Sequence, residues 1–146
     1  MELSIDTVES KFGSYLDKFG NSVDIIQFRK AYLRLVLMFK EELETTKLEG
    51  ALELLKCFSN EQYDKPVLDD LEKSCRESLN QNLKSNASMS REALLNQLLF
   101  GALLEAEEID FFYVTEPLFL FAKEMGVAAA ELDEILMSEF IELYRI

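Results

Sequence analysis

A chain of 146 residues, 49% hydrophobic and 29% charged with five Gly and two Pro, is too apolar for disorder and too poor in turn formers for a many-stranded fold. Its net charge of −13 argues against binding a phosphate backbone, and the absence of histidine removes the commonest general base and metal ligand together. Two cysteines, Cys57 and Cys75, are too few for a disulfide framework and fit a reducing compartment.

Ile5, Val8, Phe12, Tyr15, Leu16 and Phe19 fall at the three- and four-residue spacings of one helix face. Gly20-Asn21 can end that helix, since both residues tolerate a left-handed terminus. Asp24 is placed to cap a second helix running to about Lys40, apolar on nearly every side from Ile25 to Phe39. A third follows Thr45 or Thr46, with Leu48, Ala51, Leu52, Leu55 and Phe58 expected on one face. Ser59–Asp64 reads as a polar connection, after which Pro66 opens a fourth helix carrying Leu68, Leu71, Cys75, Leu79 and Leu83.

Lys84–Ser88, rich in Ser and Asn, is the most loop-like segment. The fifth helix, Ser90 to about Glu105, repeats the broadly apolar character of the second. Phe111–Val114 is expected as a buried loop, with Thr115 capping a sixth helix that Gly126 stops. The seventh carries Leu132, Ile135, Leu136, Phe140 and Leu143. The expectation is an all-α bundle of about seven helices, one domain over 1–146, with the second and fifth helices adjoining at its centre.

Nothing in Met1–Asp6 has the basic and apolar regions of a signal peptide. The longest run without a polar side chain, Leu98–Leu104, is far below the roughly 20 residues that cross a bilayer. The expected location is cytoplasmic.

A short acidic connector occurs twice, as Met38–Glu44 and as Leu104–Asp110, each after an apolar helix and before a Thr. This repetition predicts two related helix–acidic loop–helix halves. The charge is uneven: residues 1–100 hold 17 acids and 13 bases, residues 101–146 hold 11 acids and 2 bases. Acidity can serve solubility alone, but a concentrated field of this sign also favours cations and basic protein surfaces.

Cys57 and Cys75 lie on apolar faces without an imidazole, so both read as small hydrophobes. No phosphate-binding glycine motif and no nucleophile elbow is present, and catalysis is not expected. The residue types suited to a cation are Glu107, Glu108, Asp110 and Glu116. Calcium needs six to eight oxygens around a sharp turn, normally at a Gly, and bulky Phe111, Phe112 and Tyr113 stand there instead. In the first connector Glu42 and Glu44 alternate, but Lys47 brings a competing positive charge. Weak divalent-cation binding or none is therefore expected, with no other cofactor.

Leu98-Leu99-Phe100-Gly101-Ala102-Leu103-Leu104 leads into Glu107, Glu108 and Asp110, then Glu116, Leu118, Phe121-Ala122, Met125-Gly126 and Glu131-Leu132. Together with residues 35–55 as a matching first half, this order resembles the tellurite-resistance TerB-like family over about 28–141. The family's Asp-Gly loops, its proposed metal sites, are missing here. The resemblance implies an all-helical accessory domain of stress-response or membrane-associated complexes, without established catalysis.

Three functions fit these features. The leading one is a non-catalytic interaction module that engages a basic protein surface through Glu105, Glu107, Glu108, Asp110, Glu131, Asp133, Glu134 and Glu139. An acidic inhibitor, either an immunity protein or a nucleic-acid mimic, would replace phosphates with the same carboxylates. A divalent-cation-binding TerB-like domain is the third. Homo-oligomerisation is left open by all three.

Overall fold

A computed structural model describes residues 3–19, 23–84, 90–103 and 111–144, apart from the side chains at 19, 83, 111–114, 142 and 143. In chain order the helices are α1 (Ile5–Phe19), α2 (Ile25–Leu37), α3 (Thr45–Phe58), α4 (Lys65–Lys84), α5 (Arg91–Leu103), α6 (Phe111–Met125), α7 (Ala129–Glu139) and the single turn α8 (Ile141–Tyr144). No strand occurs among the described residues, and the protein is all-α as expected. No helix among them is long and apolar enough to cross a membrane.

Local chemistry sets the helix ends. Asp24 Oδ1 accepts the Ile26 N–H at 3.0 Å while Gln27 Oε1 accepts the Asp24 N–H at 2.6 Å, a reciprocal box that satisfies two otherwise orphaned donors. Ser4 and Thr7 do the same for α1, and Ser90 Oγ accepts the Ala93 N–H at the start of α5. Gly126, at φ +72°, ends α6: the Val127 N–H reaches Ala122 O at 2.9 Å. Asn60, at φ +58°, ends α3 likewise, with the Glu61 N–H on Lys56 O at 2.9 Å. The expected boundary at Gly20-Asn21 and most of the Lys84–Ser88 segment lie outside the described residues.

Four expectations need correction. Helix α2 stops at Leu37 rather than about Lys40, because the Phe39 N–H turns back to Val36 O and the chain tightens into a 3₁₀ turn at Lys40–Glu42. Phe111–Val114 is not a loop but the first turn of α6, so Thr115 is no cap and Pro117 lies inside the helix. Aromatic and β-branched residues are only a few tenths of a kcal/mol worse than average helix formers, and propagation adds a hydrogen bond per residue fixed. The expected seventh helix breaks at Phe140 (φ −117°, ψ 40°) into α7 and α8. On α3 the buried face is Lys47, Gly50, Ala51, Leu54 and Phe58, while Leu52 is 46% exposed.

Packing divides the chain into two compact units, Met1–Ala31 with Ala106–Ile146, and Tyr32–Glu105; the dividing line falls inside α2. The first unit packs α1 against α6, α7 and α8. At its core Phe140 lies 4.9 Å from Phe12 and 4.8 Å from Phe28, both edge-to-face, and Phe119 lies 6.0 Å from Phe12. The break after α7 is what delivers Phe140, fully buried, into this cluster. Such pairs add about 0.5–1.5 kcal/mol each beyond area burial.

The second unit packs α4 against both α3 and α5. Half of α5 or more is buried, including Leu94, Leu95, Leu98 and Leu99. It adjoins the C-terminal part of α2, where the Tyr32 ring lies 2.9 Å from the position of a Cβ on Gly101. The two broadly apolar helices thus meet, as their composition requires.

Candidate functional site

The acidic residues expected to face a partner separate into distinct environments. Glu131 and Glu134 are exposed one turn apart on α7 and have no ion-pair partner among the described residues. Glu116 and Glu124 on α6 are exposed in the same way. Asp133 differs: it is mostly shielded, with Oδ1 only 2.9 Å from Lys11 Nζ, though not aligned for a hydrogen bond. It is an internal tie between α1 and α7 more than a contact surface. The backbone carbonyl of Glu139 accepts a hydrogen bond from Gln27 Nε2 at 2.9 Å. Glu105, Glu107, Glu108 and Asp110 lie outside the described residues.

Lys123 is the one cation among the described residues of 101–146. It is held by Asp6 at 2.7 Å and Glu9 at 3.6 Å, and these carboxylates raise its pKa, the Asp6 hydrogen bond contributing most. The outer charge of α7 is therefore not offset from within its own segment.

No group of three or more His, Cys, Asp or Glu side chains is placed to hold a metal among the described residues. Of the expected ligands only Glu116 is described, and it is exposed as the sixth residue of α6. Cys75 is fully buried and its thiol is pushed up to about 11 by desolvation, whereas Cys57 is half-buried.

The first connector builds a concave feature that its sequence does not announce. Arg91 grips Glu42 with two hydrogen bonds, Nε to Oε1 at 2.8 Å and Nη2 to Oε2 at 2.7 Å, and lies over the Phe39 ring at 5.5 Å. This guanidinium holds the Glu42 carboxyl below its ordinary range. Behind the pair is a pocket of about 290 Å³ lined by Glu42, Leu43, Glu44, Lys47, Glu92, Leu95 and Asn96.

Lys47 is not the loop cation that its position after the connector suggested. It is 2% exposed, its Nζ donates to Ser78 Oγ at 2.8 Å, and Glu44 Oε2 stands 4.0 Å away. A signal was present: Lys47 is in phase with Ala51, Leu54 and Phe58. Asn96, an amide within the apolar run of α5, is 1% exposed, and its Nδ2 has no hydrogen-bond partner. Compared with family models, curated proteins and solved structures, the chain matches none.

Proposed function

We propose that the protein is a non-catalytic helical interaction module that binds a basic surface on another protein. The observation that carries this reading is the outer face of α7, where Glu131 and Glu134 are exposed without ion-pair partners among the described residues. The charge of residues 101–146, 11 acids against 2 bases, supplies the longer-range field. A chain without histidine, whose Cys75 is buried, has few groups suited to acid–base or nucleophilic work. The likeness to TerB-like domains supports a place among cytoplasmic stress-response accessory proteins.

The test is affinity capture from the native cell extract at low ionic strength, comparing the wild-type chain with the double variant Glu131→Lys/Glu134→Lys. A basic protein retained by the first, released by salt and lost with the second, is the expected result. Retention of the same proteins by both chains would overturn the assignment of α7 as the contact face.

A further inference from the structure

The groove between α1 and α6, both in the first unit, is built around a residue that the fold does not call for. Gly13 lies in the middle of α1, where glycine is about 1 kcal/mol less favourable than Ala. A glycine inside a helix is commonly explained by a close approach, as at Gly50, where Leu71 fills the space. At Gly13 no atom of a neighbouring element lies within 4 Å of the position of an added Cβ, and its φ is not left-handed. Neither packing among the described residues nor backbone conformation accounts for the missing side chain. The space left open is a groove of about 250 Å³, with Phe12, Leu16 and Phe119 closing its apolar floor.

Glu9 and Asp17 line the same groove. Glu9, Gly13 and Asp17 follow at four-residue spacing, so one carboxylate stands a turn to either side of the glycine along a single line of α1. Both are open to a ligand. Asp17 is exposed and has no ion-pair partner among the described residues. The Glu9 side chain is 44% exposed, with Lys123 3.6 Å away and held more closely by Asp6, at 2.7 Å. Eight residues of helix set the two acids roughly 12 Å apart along the axis. A metal ion reaches one of them but not both, and the groove is too small for a bulky ligand. A thin aliphatic chain with a cation at each end meets both conditions. A trans chain advances roughly 3.8 Å per three bonds, as successive Cα atoms do, so the nine bonds between the terminal nitrogens of spermidine span roughly 11 Å.

We propose that the α1–α6 groove binds a linear aliphatic polyamine, one terminal ammonium group at Glu9, the other at Asp17, and the methylene chain lying across Gly13. The net charge of −13 draws such cations in, and the spacing of the two carboxylates selects their length. The site does not involve the outer face of α7 and stands or falls independently of it.

Isothermal titration calorimetry of the full chain at physiological ionic strength tests this directly. Spermidine and 1,8-diaminooctane, which share the nine-bond span, should each bind with a submillimolar dissociation constant. Putrescine, whose nitrogens are only roughly 6 Å apart, and n-octylamine, which carries one charge, should bind at least about tenfold more weakly. Asp17→Asn is an exposed change that keeps the fold and should weaken spermidine binding by a similar factor. Gly13→Leu, a substitution to a strong helix former checked by circular dichroism, should fill the groove and abolish binding. Glu131→Gln/Glu134→Gln removes two charges on α7 and should bind as the wild type does. The proposal is overturned if spermidine does not bind, or binds no better than putrescine or n-octylamine. It is overturned equally if Gly13→Leu binds as the wild type does, or if Asp17→Asn weakens binding no more than the α7 variant, since net charge alone would then hold the amine.

Discussion

Leu71 Cβ lies 2.6 Å from the position that a Cβ on Gly50 would occupy, so α3 and α4 approach by a route open only to glycine. The next atoms of Leu71, Cγ and Cδ1, lie at 2.8 and 2.9 Å, and the Cβ is fixed to the α4 backbone and cannot swing away. In a helix interior Gly→Ala ordinarily gains about 1 kcal/mol from propensity. Overpacking a fitted contact costs about 1–3 kcal/mol. The clash should win, with Gly50→Ala less stable than wild type by up to about 2 kcal/mol in urea denaturation. Gly13 on α1 is the control, because no atom lies within 4 Å of its added Cβ. Gly13→Ala should gain about 0.5–1 kcal/mol. Equal signs for the two variants would contradict the α3–α4 approach.

Phe140 offers a second test of packing, since it touches both Phe12 and Phe28 across the break between α7 and α8. Truncation to Ala should cost about 3–5 kcal/mol, the range for a buried aromatic. Leu120→Ala on α6, where the side chain is exposed, should stay within about 0.5 kcal/mol of wild type. Thermal unfolding by circular dichroism measures both. A small loss at Phe140 would mean that the cluster is not a core.

Much of this fold was legible because helical periodicity survives without tertiary information. The spacing of Val8, Phe12 and Leu16, the Asp24 cap and the Gly126 stop all act within a few residues of themselves. What was not legible depended on partners distant in sequence. The α3 face includes Lys47 because Ser78 on α4 is there to accept its hydrogen. The helix break at Phe140 follows from where Phe12 and Phe28 stand. The pocket needed Glu92 and Asn96 of α5 brought to the first connector, a juxtaposition that local composition does not encode. Asp133 shares the acidic character of Glu131 and Glu134 in sequence, and only the fold sets it apart by placing Lys11 beside it.

The two thiols should differ in reactivity. Burial raises the Cys75 pKa to about 11, so at pH 8 its thiolate fraction is near one in a thousand even before access is considered. Cys57 is half-buried on α3. A thiol-disulfide reagent should modify Cys57 in the native protein within minutes and reach Cys75 only after denaturant is added. Mass spectrometry of the labelled peptides assigns the order. Rapid native labelling of Cys75 would show that α4 opens readily.

Acid should weaken the contact at the first connector. The Glu42 pKa is lowered from 4.5 in the folded chain, so its contribution is complete above that value and disappears as pH falls through the lower folded one. Glu53 behaves alike, held down first by the Asp64 backbone N–H and then by Lys56. Glu42 is exposed and Glu53 half-buried beside the exposed Lys56, so the stability change should be modest and screened by salt, most of all at Glu42. Carboxyl chemical shifts followed by NMR should place both midpoints below 4.5, and Arg91→Met should return only the Glu42 midpoint toward it. A Glu42 midpoint that ignores the Arg91 substitution would remove the two-bond grip from the solution structure.

Charge on α7 should govern the rate at which a basic partner arrives. Exposed carboxylates steer encounter over about a Debye length, roughly 8 Å at physiological ionic strength, and contribute little to fold stability. Glu131→Lys/Glu134→Lys should therefore slow association severalfold and flatten its dependence on salt, with the melting temperature nearly unchanged. Asp133 is left out of the set because Lys11 lies beside it, and reversing it would strain the α1–α7 contact as well as the field. The matched control is Asp69→Lys/Asp70→Lys on α4, equally exposed and equal in charge change, but in a helix that also carries Lys65, Lys73 and Arg76. Stopped-flow association at several salt concentrations separates the cases. Slowing confined to the α7 variant locates the contact face. Equal slowing by both would mean that net charge alone draws the partner in, and no slowing by either would leave the carboxylates of α7 as a solvated face.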